Sequence, residues 1–85
     1  FNPTTNIKFS LKADAKVSLN IYNVRGQKVR TLINNSMKAG YHTVVWNGKD
    51  EAGKSVSSGI YFNQFGTAED DGSDYTSIKK MILLK

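Results

Sequence analysis

Apolar and polar residues alternate along most of the chain, which is typical of half-buried β-strands. From residue 6 to 12 every second residue is apolar, and the same period returns at 16–21 and at 41–46. Gly, Asn and Asp, which favour turns, separate these runs. No stretch repeats apolar residues at helical spacing over a useful length. The pattern therefore predicts about seven antiparallel strands and no helix.

About seven short strands in 85 residues predict an all-β fold, an immunoglobulin-like antiparallel β-sandwich. Residues 1–85 are expected to form a single domain, because so short a chain has room for only one core. The first two runs, 6–12 and 16–21, are expected to pair as a hairpin. The apolar phase of the alternation supplies the predicted core: Ile7, Phe9, Leu11, Val17, Leu19, Ile21, Val44 and Trp46.

The segment 40–62 contains the only tryptophan and the densest turn chemistry. Its composition predicts two strands joined by a long polar turn, with Asn47-Gly48 ending the first strand. Trp46 shares the phase of core residues and is assigned to the core. Tyr61 is expected to be a buried ring whose hydroxyl bonds to nearby backbone, as in a tyrosine corner.

Three further local features are predicted. Residues 23–27 contain Asn and Gly, which tolerate the positive φ of a tight turn. In the following strand Val29 and Leu32 lie three residues apart, which breaks the alternation and predicts a bulge. At the end of the chain four consecutive apolar residues, 81–84, indicate a strand covered on both faces.

The net charge of +5 is concentrated in residues 1–42, which hold seven Lys and Arg against a single acid. A hairpin of the first two strands would place Lys8, Lys12 and Lys16 on one solvated face. Nucleic acid would need exposed aromatic residues among these lysines for base stacking, and only Tyr22 is near. We therefore expect no nucleic-acid partner and interpret the lysines as protection against edge-to-edge aggregation.

Residues suited to catalysis or metal binding are scarce. The chain has one histidine, His42, and no cysteine, so we expect no catalytic residue, no metal site and no cofactor. The acidic run 69–74 lacks the ligand spacing of a calcium loop. No apolar run approaches the roughly 20 residues of a membrane span, and a monomer without a membrane span is expected.

The chain resembles one protein family over nearly its whole length. The phrases that carry the resemblance are FNPTTNIKFSL, VSLNIYNVRGQKVRTL, AGYHTVVWNGKDEAGKSVSSGIYF and KKMILLK. They are similar to the C-terminal sorting domain of type IX secretion cargo, and to its relative, the immunoglobulin-like domain of flagellar hook-capping proteins. The most specific matches are the WNG of 46–48 with Asp50, and the SGIY of 58–61.

The resemblance implies a non-enzymatic C-terminal domain, cut from a larger secreted protein that is often a hydrolase. Its expected partners are the outer-membrane secretion machinery and the rest of the parent polypeptide, and its expected route leads through the periplasm to the cell surface. In that family the last strand carries much of the sorting signal. It maps here onto Lys79, Lys80, Met81, Ile82, Leu83, Leu84 and Lys85.

An alternative function is an accessory glycan-binding or structural spacer module of a secreted hydrolase or adhesin. Glycan binding would use aromatic rings as a stacking platform, for which Tyr41, Tyr61 and Phe62 are the candidates.

Overall fold

The computed structural model describes residues 4–69 and 72–84, and over these ranges the chain consists of strands, turns and loops. The strands are β1 (Thr5–Leu11), β2 (Ala15–Asn23), β3 (Lys28–Met37), β4 (Gly40–Trp46), β5 (Gly59–Ala68) and β6 (Asp74–Leu83). They form a four-stranded sheet of order β3-β2-β5-β6 and a two-stranded sheet of order β1-β4. All pairings are antiparallel. The predicted all-β fold is confirmed, with six strands in the described residues rather than about seven.

The predicted hairpin of the first two strands is wrong. β1 pairs with β4, while β2 lies in the other sheet between β3 and β5. The turn between β1 and β2 carries the chain across the sandwich, and its Asp14 accepts a hydrogen bond from the backbone N–H of Ala39 at 2.8 Å. Alternation identifies the inward face of a strand but not its partner. The lysines predicted to share one face, Lys8 and Lys16, consequently lie on different sheets.

The core lies between the two sheets in two adjoining clusters. Their buried members are Leu11, Val17, Leu19 and Ile33 in one, and Ile21, Trp46, Tyr61 and Leu83 in the other. Ile7 and Leu32 pack against both clusters and join them. Of the predicted core residues, Ile7, Phe9 and Val44 are half-buried, and the others are buried. The alternation therefore identified the inward faces of β1, β2 and β4 correctly.

Trp46 and Tyr61 fix the long loop between β4 and β5. Trp46 is fully buried, and its indole N–H donates to the backbone carbonyl of Lys49 at 3.0 Å. Its ring meets that of Tyr61 edge to face, with centroids 5.3 Å apart. The Tyr61 hydroxyl donates to the carbonyl of Ser57 at 2.7 Å, which confirms the predicted tyrosine-corner arrangement. Both ends of the loop are thus attached to buried rings.

The predicted turn and bulge are also confirmed. Asn23 closes the turn after β2, because its side-chain oxygen accepts the backbone N–H groups of Arg25 and Gln27 at 3.0 Å. Gly26 adopts a φ of 80°, which favours glycine. The β2–β3 pairing shifts register between Leu19 and Asn20, and again after Ile21. These bulges explain why β3 lacks a strict alternation.

Replacing Trp46 with Ala is expected to lower the free energy of unfolding by about 3 to 5 kcal/mol, because it leaves a large cavity between the sheets. Guanidinium denaturation followed by circular dichroism measures the change. Val45→Ala, on the exposed phase of the same strand, is the matched control and should cost much less. Equal stability of the Trp46→Ala variant and the native protein would contradict this placement of the ring.

Asp14 predicts a specific dependence of stability on pH. The Ala39 N–H and the neighbouring Lys38 ammonium hold the pKa of Asp14 below its ordinary value of 3.8. A lowered folded-state pKa contributes stability above the unfolded pKa, and this contribution is lost as the pH falls through the folded pKa. Thermal melting should therefore separate the native protein from Asp14→Asn above about pH 4 and bring them together near pH 2. A difference that is constant across this range would contradict the assignment.

Candidate interaction surface

The predicted recognition segment begins in the second half of β6, at Lys79, and β6 is an edge of the four-stranded sheet in the described residues. Its alternation divides the segment between two faces. Met81 and Leu83 point inward against the core, and Leu83 is 1% exposed. Lys80 and Ile82 lie on the opposite face. The prediction that both faces of this strand are covered is wrong, because Ile82 is 49% exposed and Leu84 61%. Lys85 lies outside the described residues.

Exposed aliphatic residues cluster on the outer face of β5 and β6. Ile60 stands directly opposite Ile82, and Ile78 lies further along β6 opposite Gln64. We call the group of Ile60, Ile78, Ile82 and Leu84 the outer apolar patch. Each of its side chains is at least 41% exposed. Large exposed apolar residues grouped on one face of a domain can mark a contact with another macromolecule.

Two half-buried rings extend this surface toward the centre of the sheet. Phe62 pairs with Lys80 on one side and with Tyr22 of β2 on the other. All three residues alternate with inward-facing neighbours and therefore share the outer face. The ammonium group of Lys80 thus stands within an apolar surface, which adds a positive charge to the chemistry that a partner must match.

The other end of the same outer face is polar and closely packed. Gly66 on β5 lies between Ser18 of β2 and Thr76 of β6. A Cβ atom at Gly66 would come within 2.9 Å of the Ser18 hydroxyl oxygen. A side chain at position 66 would therefore require Ser18 to move, and Ser18, Gly66 and Thr76 add no exposed aliphatic side chain to the outer apolar patch.

The inner face of β6 is only partly covered, because a two-stranded sheet lies over a four-stranded one. A cavity of about 160 Å³ opens beside β1, lined chiefly by Phe9, Phe65, Tyr75 and Lys79. Phe9 and Phe65 are in contact at its floor, with centroids 4.7 Å apart. Lys79 occupies an inward position in the alternation but is exposed. The uncovered stretch explains why a lysine is tolerated in the inward phase.

The aromatic residues considered for glycan stacking are not brought together. Tyr41 is 94% exposed on β4, in the two-stranded sheet. Tyr61 is buried in the core, and Phe62 lies on the outer face of the other sheet. Two of these rings lie on different sheets and the third is buried, so they cannot form one stacking platform for a glycan.

The single histidine has a packing role. The His42 ring stacks on Phe9 with centroids 5.2 Å apart, and its Nε2 lies 2.7 Å from the carbonyl oxygen of Lys38, to which it donates. In the part of the chain that the structure describes, no three His, Cys, Asp or Glu residues are grouped to hold a metal ion. Asp70 and Asp71 of the acidic run lie outside the described residues. The described residues also form no helix long and apolar enough to span a membrane.

Sequence reasoning drew attention to the terminal strand but not to Ile60 and Tyr22. Ile60 belongs to a predicted strand, and only the β5–β6 register shows that it opposes Ile82. Ile78 carried a usable signal, because it is an apolar residue in the outward phase of a strand whose neighbours are polar. Apolar residues in both phases of one edge strand indicate a surface beyond the core.

Comparison with known proteins gives a consistent result. The family model for the FlgD Ig-like domain matches residues 1–72. FlgD from P. aeruginosa is similar in structure, with a TM-score of 0.74 and 25% sequence identity, over 93% of this chain and 61% of that one. FlgD from Xanthomonas campestris, whose hook capping is essential for flagellar assembly, has a TM-score of 0.72 and 18% identity over 94% and 57%. No curated protein matches.

These matches confirm the immunoglobulin-like fold and correct the functional prediction. The chain spans less than two thirds of the length of either solved FlgD structure. The type IX sorting domain is the wrong assignment, because the family model and both structures belong to hook-capping proteins. The outer-membrane secretion machinery as partner, the route through the periplasm and the alternative of a hydrolase or adhesin module are wrong for the same reason. With a family model covering residues 1–72, the chain belongs to the FlgD Ig-like domain family.

Proposed function

We propose that this domain is a non-catalytic scaffold module of a flagellar hook-capping protein and that it binds a neighbouring protein of the hook or cap through the outer apolar patch. Family membership and the similarity to the FlgD of Xanthomonas campestris support the setting. The observation that carries the proposal is the patch itself. Three exposed isoleucines lie on the outer face of β5 and β6, and the exposed Leu84 follows β6 directly.

The patch is well suited to a protein partner. Covering apolar surface stabilises a complex by about 25 cal/mol for each Å² removed from water. Both strands that carry the patch are paired over ten residues, so their backbone does not have to be ordered on binding. Lys80 within the surface selects a partner that presents an acidic group beside its own apolar residues.

The carboxylates of the described chain support a structural role, because several of them bind backbone N–H groups. Asp50 accepts the N–H groups of Ala52 and Lys54 at 3.0 Å and so shapes its own turn. Glu51 accepts the N–H of Thr31 at 2.6 Å and thereby fastens the β4–β5 loop to β3. Acids used in this way hold loops in place, and His42 stacks on Phe9 of the paired strand β1.

The proposed role in a hook-capping protein is tested by deleting the encoding gene in its own bacterium and examining purified flagellar basal bodies by electron microscopy. Loss of hooks, restored by the native gene on a plasmid, is the expected result. Hooks of normal number and length in the deletion strain would contradict a hook-capping role, whatever the patch does.

The surface is tested in the same strain by complementation with Ile78→Ser/Ile82→Ser. Removing two central apolar contacts should weaken the interaction by roughly tenfold or more and reduce the number of hooks. Val45→Ser is the matched control, since Val45 is 54% exposed but lies on the two-stranded sheet. Both variants should melt near the native temperature. A correctly folded double variant that restores hooks as well as the control does would show that the patch is not the contact.

A further inference from the structure

β6 pairs with β5 along one side, and over residues 74–80 no described strand lies along its other side. Residues 74–80 are exposed apart from Ser77, which is half-buried. An edge of this length presents unpaired backbone groups to another strand unless charge or shape prevents it. The charges on β6 therefore decide what can pair with it.

Charge is distributed along β6 in a self-complementary way. Asp74 and Lys80 lie six residues apart on the same outward face, with Ser77 midway between them. If a second copy of β6 runs antiparallel and pairs about Ser77, Asp74 of each copy stands opposite Lys80 of the other. Opposed residues of a continuous sheet share a face, so Asp74 can oppose only even-numbered residues of β6. Lys80 is the one lysine among them.

The other opposed residue pairs in this register are compatible as well. Tyr75 stands opposite Lys79 on the inner face, beside the open cavity, where the ammonium group can contact the exposed ring. Thr76 stands opposite Ile78 and partly covers this exposed side chain of the outer apolar patch. If the pairing is centred on Lys79 instead of Ser77, Lys79 of one copy lies opposite Lys79 of the other. Like charges directly opposed are destabilising.

We propose that two copies of this domain associate antiparallel through β6, in the register that pairs Asp74 with Lys80, and form one continuous sheet of eight strands. The two-fold axis is perpendicular to the sheet, so the outer apolar patches of both copies lie on the same side. The contact is a strand edge and is small, so the isolated domain is expected to dimerise only at roughly sub-millimolar concentration. Linked copies in a larger assembly would associate more strongly. The inference rests on β6 alone and does not depend on the proposed function.

Sedimentation velocity of the purified chain, from about 10 µM to about 1 mM, tests the pairing. The native protein is expected to shift from monomer to dimer over this range. Asp74→Lys and Lys80→Asp each oppose like charges and should weaken dimerisation by roughly tenfold or more. Lys12→Asp, outside β6, has the same change in net charge as Lys80→Asp, is its control, and should dimerise as the native protein does. Circular dichroism verifies that every variant is folded.

A mixture of the two single variants gives the sharpest result. In a heterodimer of Asp74→Lys with Lys80→Asp, two lysines on one copy meet two aspartates on the other, so the mixture should dimerise although neither variant does so alone. The double variant Asp74→Lys/Lys80→Asp should likewise recover association. A native protein that stays monomeric at the highest concentration, or singles and mixture that behave alike, would overturn the proposal.

Discussion

The fold depends on the burial of Trp46 between its two sheets. A two-stranded sheet is barely stable in water by itself, so β1 and β4 persist because they pack on the larger sheet. Trp46 is among the largest fully buried side chains and lies at the end of β4, where it contacts Tyr61 of β5. Its N–H and the Tyr61 hydroxyl satisfy backbone carbonyls of the connecting loop. One aromatic contact thus joins the sheets and shapes the loop, and it covers the inner side of β6 at Leu83.

The sequence predicted well which face of each strand points to the core, but it predicted poorly which strands pair with each other. Alternation depends only on neighbouring residues, so the inward positions of β1 and β2 could be derived from the chain directly. Pairing depends on contacts between distant segments. The short connection at residues 12–14 favours a hairpin, yet Asp14 is held by Ala39 and the chain crosses to the other sheet. Tyr61 was placed correctly because its partner, Ser57, is only four residues away.

The proposed interaction surface was predicted only in part, for the same reason. The sequence drew attention to the terminal strand but predicted both faces of its end to be covered, and Ile60 joins it through a register that no local pattern contains. The resemblance to type IX sorting domains gave the wrong function for a related reason. The residues that carried it, such as Trp46, Asp50 and Tyr61, form the core contact and the turn that build the fold. Domains with different functions share such residues, so they identify a fold and leave its use undetermined.

The separation of β1 and β6 between two sheets has a mechanical consequence. These are the first and last described strands, and no backbone hydrogen bonds join them. A pulling force applied between them passes from one sheet to the other through side chains such as Ile7 and Phe9, which pack against the core. Dispersion contacts act over a very short range, so a small separation releases them. Under tension the sandwich should open between its layers while the hydrogen bonds within each sheet remain intact.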